Sequence, residues 1–204
     1  MSRKIGILCL ILGAAFLLAA LGLVCYNTWE SQSAMQSSRD ILAQMQNRQE
    51  QLPEATADPY ADHVDVFDQA AKEMTVREID GHDYIGYLSI PALEQELPVM
   101  SAWDYDSLQI APCRQYGATK TDDLVIAAHN YASHFGRLAQ LRTGDLLTFT
   151  DMDSETILYG VVTVDVLEPT AVDTVKDSEF DLVLYTCTYG GENRVAVFCD
   201  RIVR

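Results

Sequence analysis

The sequence predicts a mainly β domain, a closed antiparallel barrel or sandwich with short helices, preceded by an N-terminal transmembrane helix and a helical stalk. Three observations carry that prediction. From Tyr84 onward, short β-type runs are broken by turn residues: YIGYLSI, ELPVM, DLVIAAH, DLLTFT, TILYGVVTVDVLE, DLVLYTC and RVAVFCDRIV. Seven or eight strands with few helix signals make a β-barrel or sandwich. Residues Ile5 to Tyr26 form an apolar run without one charged side chain. Asn27 to Ala57 is polar and free of glycine, and its apolar Ala34, Ile41, Met45 and Leu52 recur at spacings of seven, four and seven, a thin helical stripe.

Taken in order, the apolar run has 22 residues, enough to cross the roughly 30 Å hydrocarbon core of a bilayer. The h-region of a cleaved signal peptide is shorter, about 7–15 residues. Val24 before Cys25 is not the small residue a lipoprotein cleavage site places there. Ser2-Arg3-Lys4 precede the run, and basic residues tend to stay cytoplasmic. The expectation is a single-pass membrane protein with a cytoplasmic N-terminus and the rest outside. The polar stretch reads as a stalk ended by Pro53 and Asp58-Pro59. A second helix is expected from about Val64 to Met74, and a helical interruption, FGRLAQL at 135–141, precedes the turn Thr143-Gly144-Asp145. The division expected is 1–26 anchor, 27–80 stalk and 81–204 barrel.

Composition narrows the function. With 49% hydrophobic and 22% charged residues the chain is globular rather than disordered. A formal net charge of -16 argues against nucleic acid as a partner, because phosphate binding needs a Lys/Arg surface. Outside the anchor stand Cys113, Cys187 and Cys199, an odd number where disulfides are permitted, so at least one thiol stays free or pairs with another molecule. Cys113 (in a loop, APCRQYG) and Cys199 read as packing residues rather than as a disulfide.

Cys187 ends the strand DLVLYTC and is followed at once by the turn TYGGEN. The end of a strand on a rigid sheet presents a nucleophile well, and a thiol attacks as the thiolate, which a nearby base or cation favours. Arg194 lies seven residues on, across the Gly190-Gly191 turn, so a hairpin brings the two together. A lone strand cysteine is ordinarily core packing; the turn and the arginine set this one apart. His129 ends DLVIAAH in the same way. His134 lacks partners with metal-ligand spacing, and His63 and His82 lie in acidic, surface-like segments.

LYTC followed by a short turn and an arginine resembles the sortase signature, commonly written TLxTC with a downstream Arg. VIAAHNYASHFGRLAQLRTGD is similar to that family's histidine region, and IGYLSIPALEQELPVM to its first strands. The resemblance covers residues 84–204 in the right order. It implies a closed eight-stranded sortase-like β-barrel and a Cys–His–Arg site, carried onto Cys187, His129 and Arg194. Thr186, beside the nucleophile, is expected to support the oxyanion or substrate. It further implies cleavage of an LPxTG-like signal on a surface protein or pilin, through a thioacyl-enzyme. The acyl group then passes to an amine acceptor, a peptidoglycan precursor or a pilin lysine. Val183 at the first threonine position and Ala128 before the histidine depart from the pattern, and neither removes a reacting group. Asp58-Pro59-Tyr60 reads as an ordinary turn; it is also similar to the Asp-Pro-aromatic lid of pilus-building sortases, in which Asp58 would meet Arg194 and Tyr60 cover Cys187. No cofactor or metal is expected: some sortases bind calcium, but no EF-hand-like spacing is present. The alternatives are a hydrolytic cysteine protease on the same Cys and His, and an anchored, non-catalytic barrel that binds peptide.

Overall fold

The hydrophobic runs become nine strands among the described residues, 2–49 and 74–202, of the computed structural model. The chain opens with α1 (Ser2–Gln49), then β1 (Arg77–Ile79), β2 (His82–Ile90) and β3 (Gln95–Met100). There follow α2 (Tyr105–Ile110), β4 (Cys113–Tyr116), β5 (Leu124–Ala127), β6 (Leu146–Asp151) and β7 (Thr156–Leu167). Next come α3 (Val172–Lys176), β8 (Leu182–Cys187) and β9 (Arg194–Arg201). The strand order is β1-β2-β3-β4-β5-β8-β9-β7-β6, and β2 also pairs with β6. Strands β2 to β9 therefore make a closed eight-stranded barrel, with β1 a short ninth strand along the start of β2.

Closure depends on β2 bonding on both sides along its length, Gly86 to Val99 on β3 and to Asp151 on β6. The register slips between Tyr84 and Gly86, and Gly86 takes φ 151°, with the Thr150 carbonyl where a Cβ would project. Only glycine suits that bend.

Side chains alternate across the barrel wall. Leu88, Leu124, Ile126, Phe149, Leu182, Leu184 and Val197 fill its interior. Outside, Val125, Val183 and Phe198 are covered by Val175 of α3, and Tyr84, Met100, Leu108 and Ala127 by the end of α1.

Several expectations are corrected. The barrel is not wholly antiparallel: β5 and β8 run parallel, as do β3 and β4 at the single pair Met100↔Cys113. Strands β7 and β8 both run antiparallel to β9 and hence the same way as each other, because the connection through α3 crosses over rather than forming a hairpin; β8 therefore lies parallel to β5. Segment 135–141 is a set of turns with one 3₁₀ turn, Leu138–Gln140, because Phe135, Leu138 and Leu141 are buried at a spacing of three, the 3₁₀ period. Cys113 opens β4 rather than lying in a loop.

The helix expected after the anchor is present, continuous with it as far as Gln49. Its last turns do not stand clear of the domain: Ile41, Leu42 and Met45 are buried. Each such side chain contributes about 1.5–3 kcal/mol when fully buried. Asp58 and Tyr60 lie outside the described residues, as does the helix expected from Val64, except for Met74, which joins the interior core.

Candidate functional site

The three strands β5, β8 and β9 are neighbours, and the chemistry-bearing residues cluster at one end of them. Cys187 is the last residue of β8 and pairs in register with Arg194, the first residue of β9. The hairpin between them is closed by Thr188 N–H donating to Asn193 O at 2.9 Å and Asn193 N–H donating to Thr188 Oγ1 at 3.0 Å. On the other side, β5 and β8 pair as far as Ala127↔Tyr185. Beyond that pair, Ala128 N–H donates to Tyr185 O at 3.2 Å, Thr186 Oγ1 donates to Ala128 O at 2.8 Å, and Asn130 Nδ2 donates to Thr188 O at 3.3 Å. Continuing this register places His129 level with Cys187, so the order across the strand ends is His129, Cys187, Arg194.

The pleat sets which way each residue faces. Leu182 and Leu184 point into the barrel, and so, two residues on, does Thr186, which is 4% exposed. Its hydroxyl, expected to support an oxyanion or substrate, is instead committed to the Ala128 carbonyl and clamps the two strand ends. Val183 and Tyr185 face outward, and Cys187, next in that alternation, is half-buried. Arg194 shares this outer face and donates through Nη1 to Gly191 O at 3.1 Å and Asn193 O at 3.0 Å.

The segment after His129 is a tight loop. Phe135 N–H donates to His129 O at 3.1 Å, and His134 and Gly136 N–H both donate to Tyr131 O. The Tyr131 ring lies 4.9 Å from that of His129 and 5.4 Å from that of His134. His134 is fully buried, and neither ring nitrogen has a hydrogen-bond partner among the described residues. Burial, with the nearby His129 charge adding to it, pushes its pKa down to about 4. The ring is therefore neutral near pH 7 and serves as packing. No group of three or more His, Cys, Asp or Glu among the described residues could hold a metal ion.

Below the strand ends lies a pocket of about 170 Å³, lined by Gln115, Leu167, Pro169, Val175, Tyr185 and Arg194. Tyr185 Oη donates to Gln115 Oε1, and burial pushes the phenol up to about 12, so it stays a neutral donor. Sequence reasoning missed Gln115 and Tyr185. Tyr185 stands at the freely variable position of the cysteine motif, and Gln115 comes from a four-residue strand with too little apolar pattern to read.

At the far end of the chain, Gly6–Tyr26 has a mean hydropathy of 2.9 with none of it buried, and is long and apolar enough to cross a membrane. Tyr26 and Trp29 bring their rings to 6.5 Å at its end, as aromatic residues do at membrane–water interfaces.

A family model described as a sortase domain matches residues 88–202, more than half of the chain. No curated protein matches it. Among solved structures, sortase C1 of Streptococcus suis is 27% identical over 60% of this chain and 75% of its own, with a TM-score of 0.52. Pilus island 1 sortase C2 of group B Streptococcus is 25% identical over 62% of this chain and 77% of its own, with a TM-score of 0.52. Sortase C of Streptococcus pneumoniae shares the fold over 86% of this chain and 89% of its own, at 24% identity and a TM-score of 0.54.

Proposed function

The chain belongs to the sortase family of cysteine transpeptidases, and from that premise we propose that it cuts an LPxTG-like sorting signal with Cys187, His129 and Arg194 and transfers the acyl fragment to an amine. The observation that carries the assignment of residues is the lateral order of His129, Cys187 and Arg194 on three adjoining strand ends. A thiol flanked by a proton carrier on one side and a fork of N–H donors on the other suits acyl transfer.

In the first step the Cys187 thiolate attacks the threonine carbonyl carbon, forming a C–S bond. Arg194 turns its guanidinium from the Gly191 and Asn193 carbonyls to the developing oxyanion, its planar fork matching that charge. As the C–N bond breaks, His129 gives its proton to the departing glycine amine. In the second step an incoming amine forms a new C–N bond with the thioester carbonyl, the thiolate leaves, and His129 takes up the amine's proton. The pocket beside Tyr185 and Arg194 supports a place for the acyl side chains, which must stay bound between the two steps. Thr186 acts at one remove, by holding the strands of His129 and Cys187 together.

Likeness to the pilus island sortase supports a pilin as substrate, with a surface protein as the other substrate the chemistry serves; the amine acceptor is a pilin lysine or a peptidoglycan precursor. Residues 1–26 act as a membrane anchor with Arg3 and Lys4 inside, 27–80 as the linking region and 81–204 as the extracellular catalytic barrel. The test is to incubate the chain with an LPxTG-like peptide, with and without added amine. Thioester on Cys187 and amine-dependent product are expected. Arg194→Ala should cut kcat by about 10²–10³-fold, as loss of an oxyanion donor does. Hydrolysis that no amine alters would favour a protease, and unchanged behaviour of Cys187→Ala a passive binding barrel.

A further inference from the structure

On the side of His129 away from Arg194, a second pocket of about 450 Å³ opens between α1 and the β2–β3 edge, lined in part by Ser38, Arg39, Gln95, Glu96, Ser133 and Arg137. It shares a wall with the loop that carries His129. Ala132 and Ser133 line it, and Gln95 Nε2 donates to Ala132 O and His134 O, both at 2.9 Å.

Two features of this pocket are those of a binding site. Among the described residues, Ser38 Oγ, on a residue 3% exposed, and Gln95 Oε1 are buried without a hydrogen-bond partner. An unmet buried polar group costs about 1–3 kcal/mol, which a ligand bearing N–H donors offsets. The second feature is charge. Among the described residues neither Arg39 nor Arg137 pairs with a carboxylate; Arg137 spends one Nη1 proton on Leu93 O at 2.7 Å. Two guanidinium forks at one cavity match a carboxylate, while Glu96 on the same wall favours an ammonium. The volume falls in the range of roughly 300–1,000 Å³ that holds small ligands, which suits a short peptide better than the face of a folded protein.

We propose that this pocket binds the amine acceptor, a short peptide with a free primary amine and a free carboxylate. The inference rests on the transpeptidase reading, in which the incoming amine must reach the thioester from the side where His129 can take its proton. The strand order places His129 between this pocket and Cys187. Two strand spacings, about 10 Å, separate β3 from β5, a span that two or three extended residues cover. The carboxylate binds Arg39 and Arg137, backbone N–H groups meet Gln95 Oε1 and Ser38 Oγ, and the amine passes Ser133 toward His129.

The test uses the full chain in detergent with Cys187→Ala, titrated calorimetrically with Nα-acetyl-Lys-Ala carrying a free carboxylate. Arg39 is exposed and partnerless among the described residues, so Arg39→Glu leaves the fold intact. It is expected to weaken binding about fivefold or more, equal to about 1 kcal/mol, and the C-terminal amide of the peptide should bind more weakly than the acid. With Cys187 restored, Arg39→Glu should lower the ratio of aminolysis to hydrolysis by a similar factor. Absence of dipeptide binding, binding indifferent to Arg39→Glu, or an unchanged ratio overturns the proposal. Failure of the sorting-signal peptide to form any thioester overturns the transpeptidase reading instead, and the calorimetry still decides the pocket.

Discussion

Cys187, Cys113 and Cys199 lie on strands of one barrel, yet they meet different surroundings. Cys199 is enclosed in the interior and Cys113 under the outer cluster beside α2, on opposite faces of the wall, and both are free thiols. Burial, with Asp104 nearby, pushes Cys113 up to about 12, and burial raises Cys199 well above the ordinary thiol range. Only Cys187 is partly open. Since the thiolate is the reacting form, iodoacetamide at pH 7.5 should label Cys187 at least about a hundredfold faster than the other two, read by peptide mass spectrometry. His134 yields a prediction about acid. Its pKa falls from 6.5 to about 4 on folding, so below pH 6.5 the unfolded chain binds a proton that the native one refuses. This group's contribution is intact above pH 6.5 and lost as pH falls toward 4, with a slope up to about 1.4 kcal/mol per pH unit. His134→Leu should flatten the decline of Tm across that window; parallel melting curves for the two proteins would contradict the assignment.

At the scale of elements, the site is three strand ends and the loop that continues one of them. Gly136 shows how tightly that loop is wound: a Cβ there would run into the carbonyls of Asn130 and Tyr131. Gly136→Ala should therefore displace the loop, costing about 1–3 kcal/mol as overpacking does and lowering kcat more than KM; an unchanged kcat would show that the loop does not set the place of His129. The strand ends themselves were legible in the sequence, because DLVIAAH and DLVLYTC each run apolar up to a polar residue and a turn. What lay beyond reading was partnership. Nothing in either run says that β5 and β8 pair in parallel, and that pairing is what sets His129 beside Cys187. Likewise β4, four residues of mixed polarity, carries no strand period, so Gln115 and its bond to Tyr185 were invisible. Thr186 was readable as a neighbour of the nucleophile but not as inward-facing, since facing follows from a register that only the folded barrel defines.

For the molecule as a whole, the decisive fact is where α1 goes. The stripe of Ile41 and Met45 was visible in sequence, but an exposed stalk and a docked helix share that pattern; only the apolar partners Tyr84, Met100 and Leu108, distant in sequence, tell them apart. Met45→Ala should loosen this docking by about 2–5 kcal/mol, as large-to-small core changes do, and hydrogen exchange should quicken at residues 38–45 while the barrel strands keep their protection. Equal protection in both proteins would mean that the helix does not depend on that contact. Because α1 is unbroken from Gly6 to Gln49, the apolar segment and the docked end of the helix lie along one rod. On the proposed reading of residues 1–26 as a membrane anchor, the 15 residues between Tyr26 and Ile41 rise about 22 Å, and that figure becomes a ruler: it sets how far above the lipid the helix would meet the barrel. On that reading a substrate would be chosen partly by the length of its own tether, since only a cleavage sequence able to rest near that height would meet Cys187.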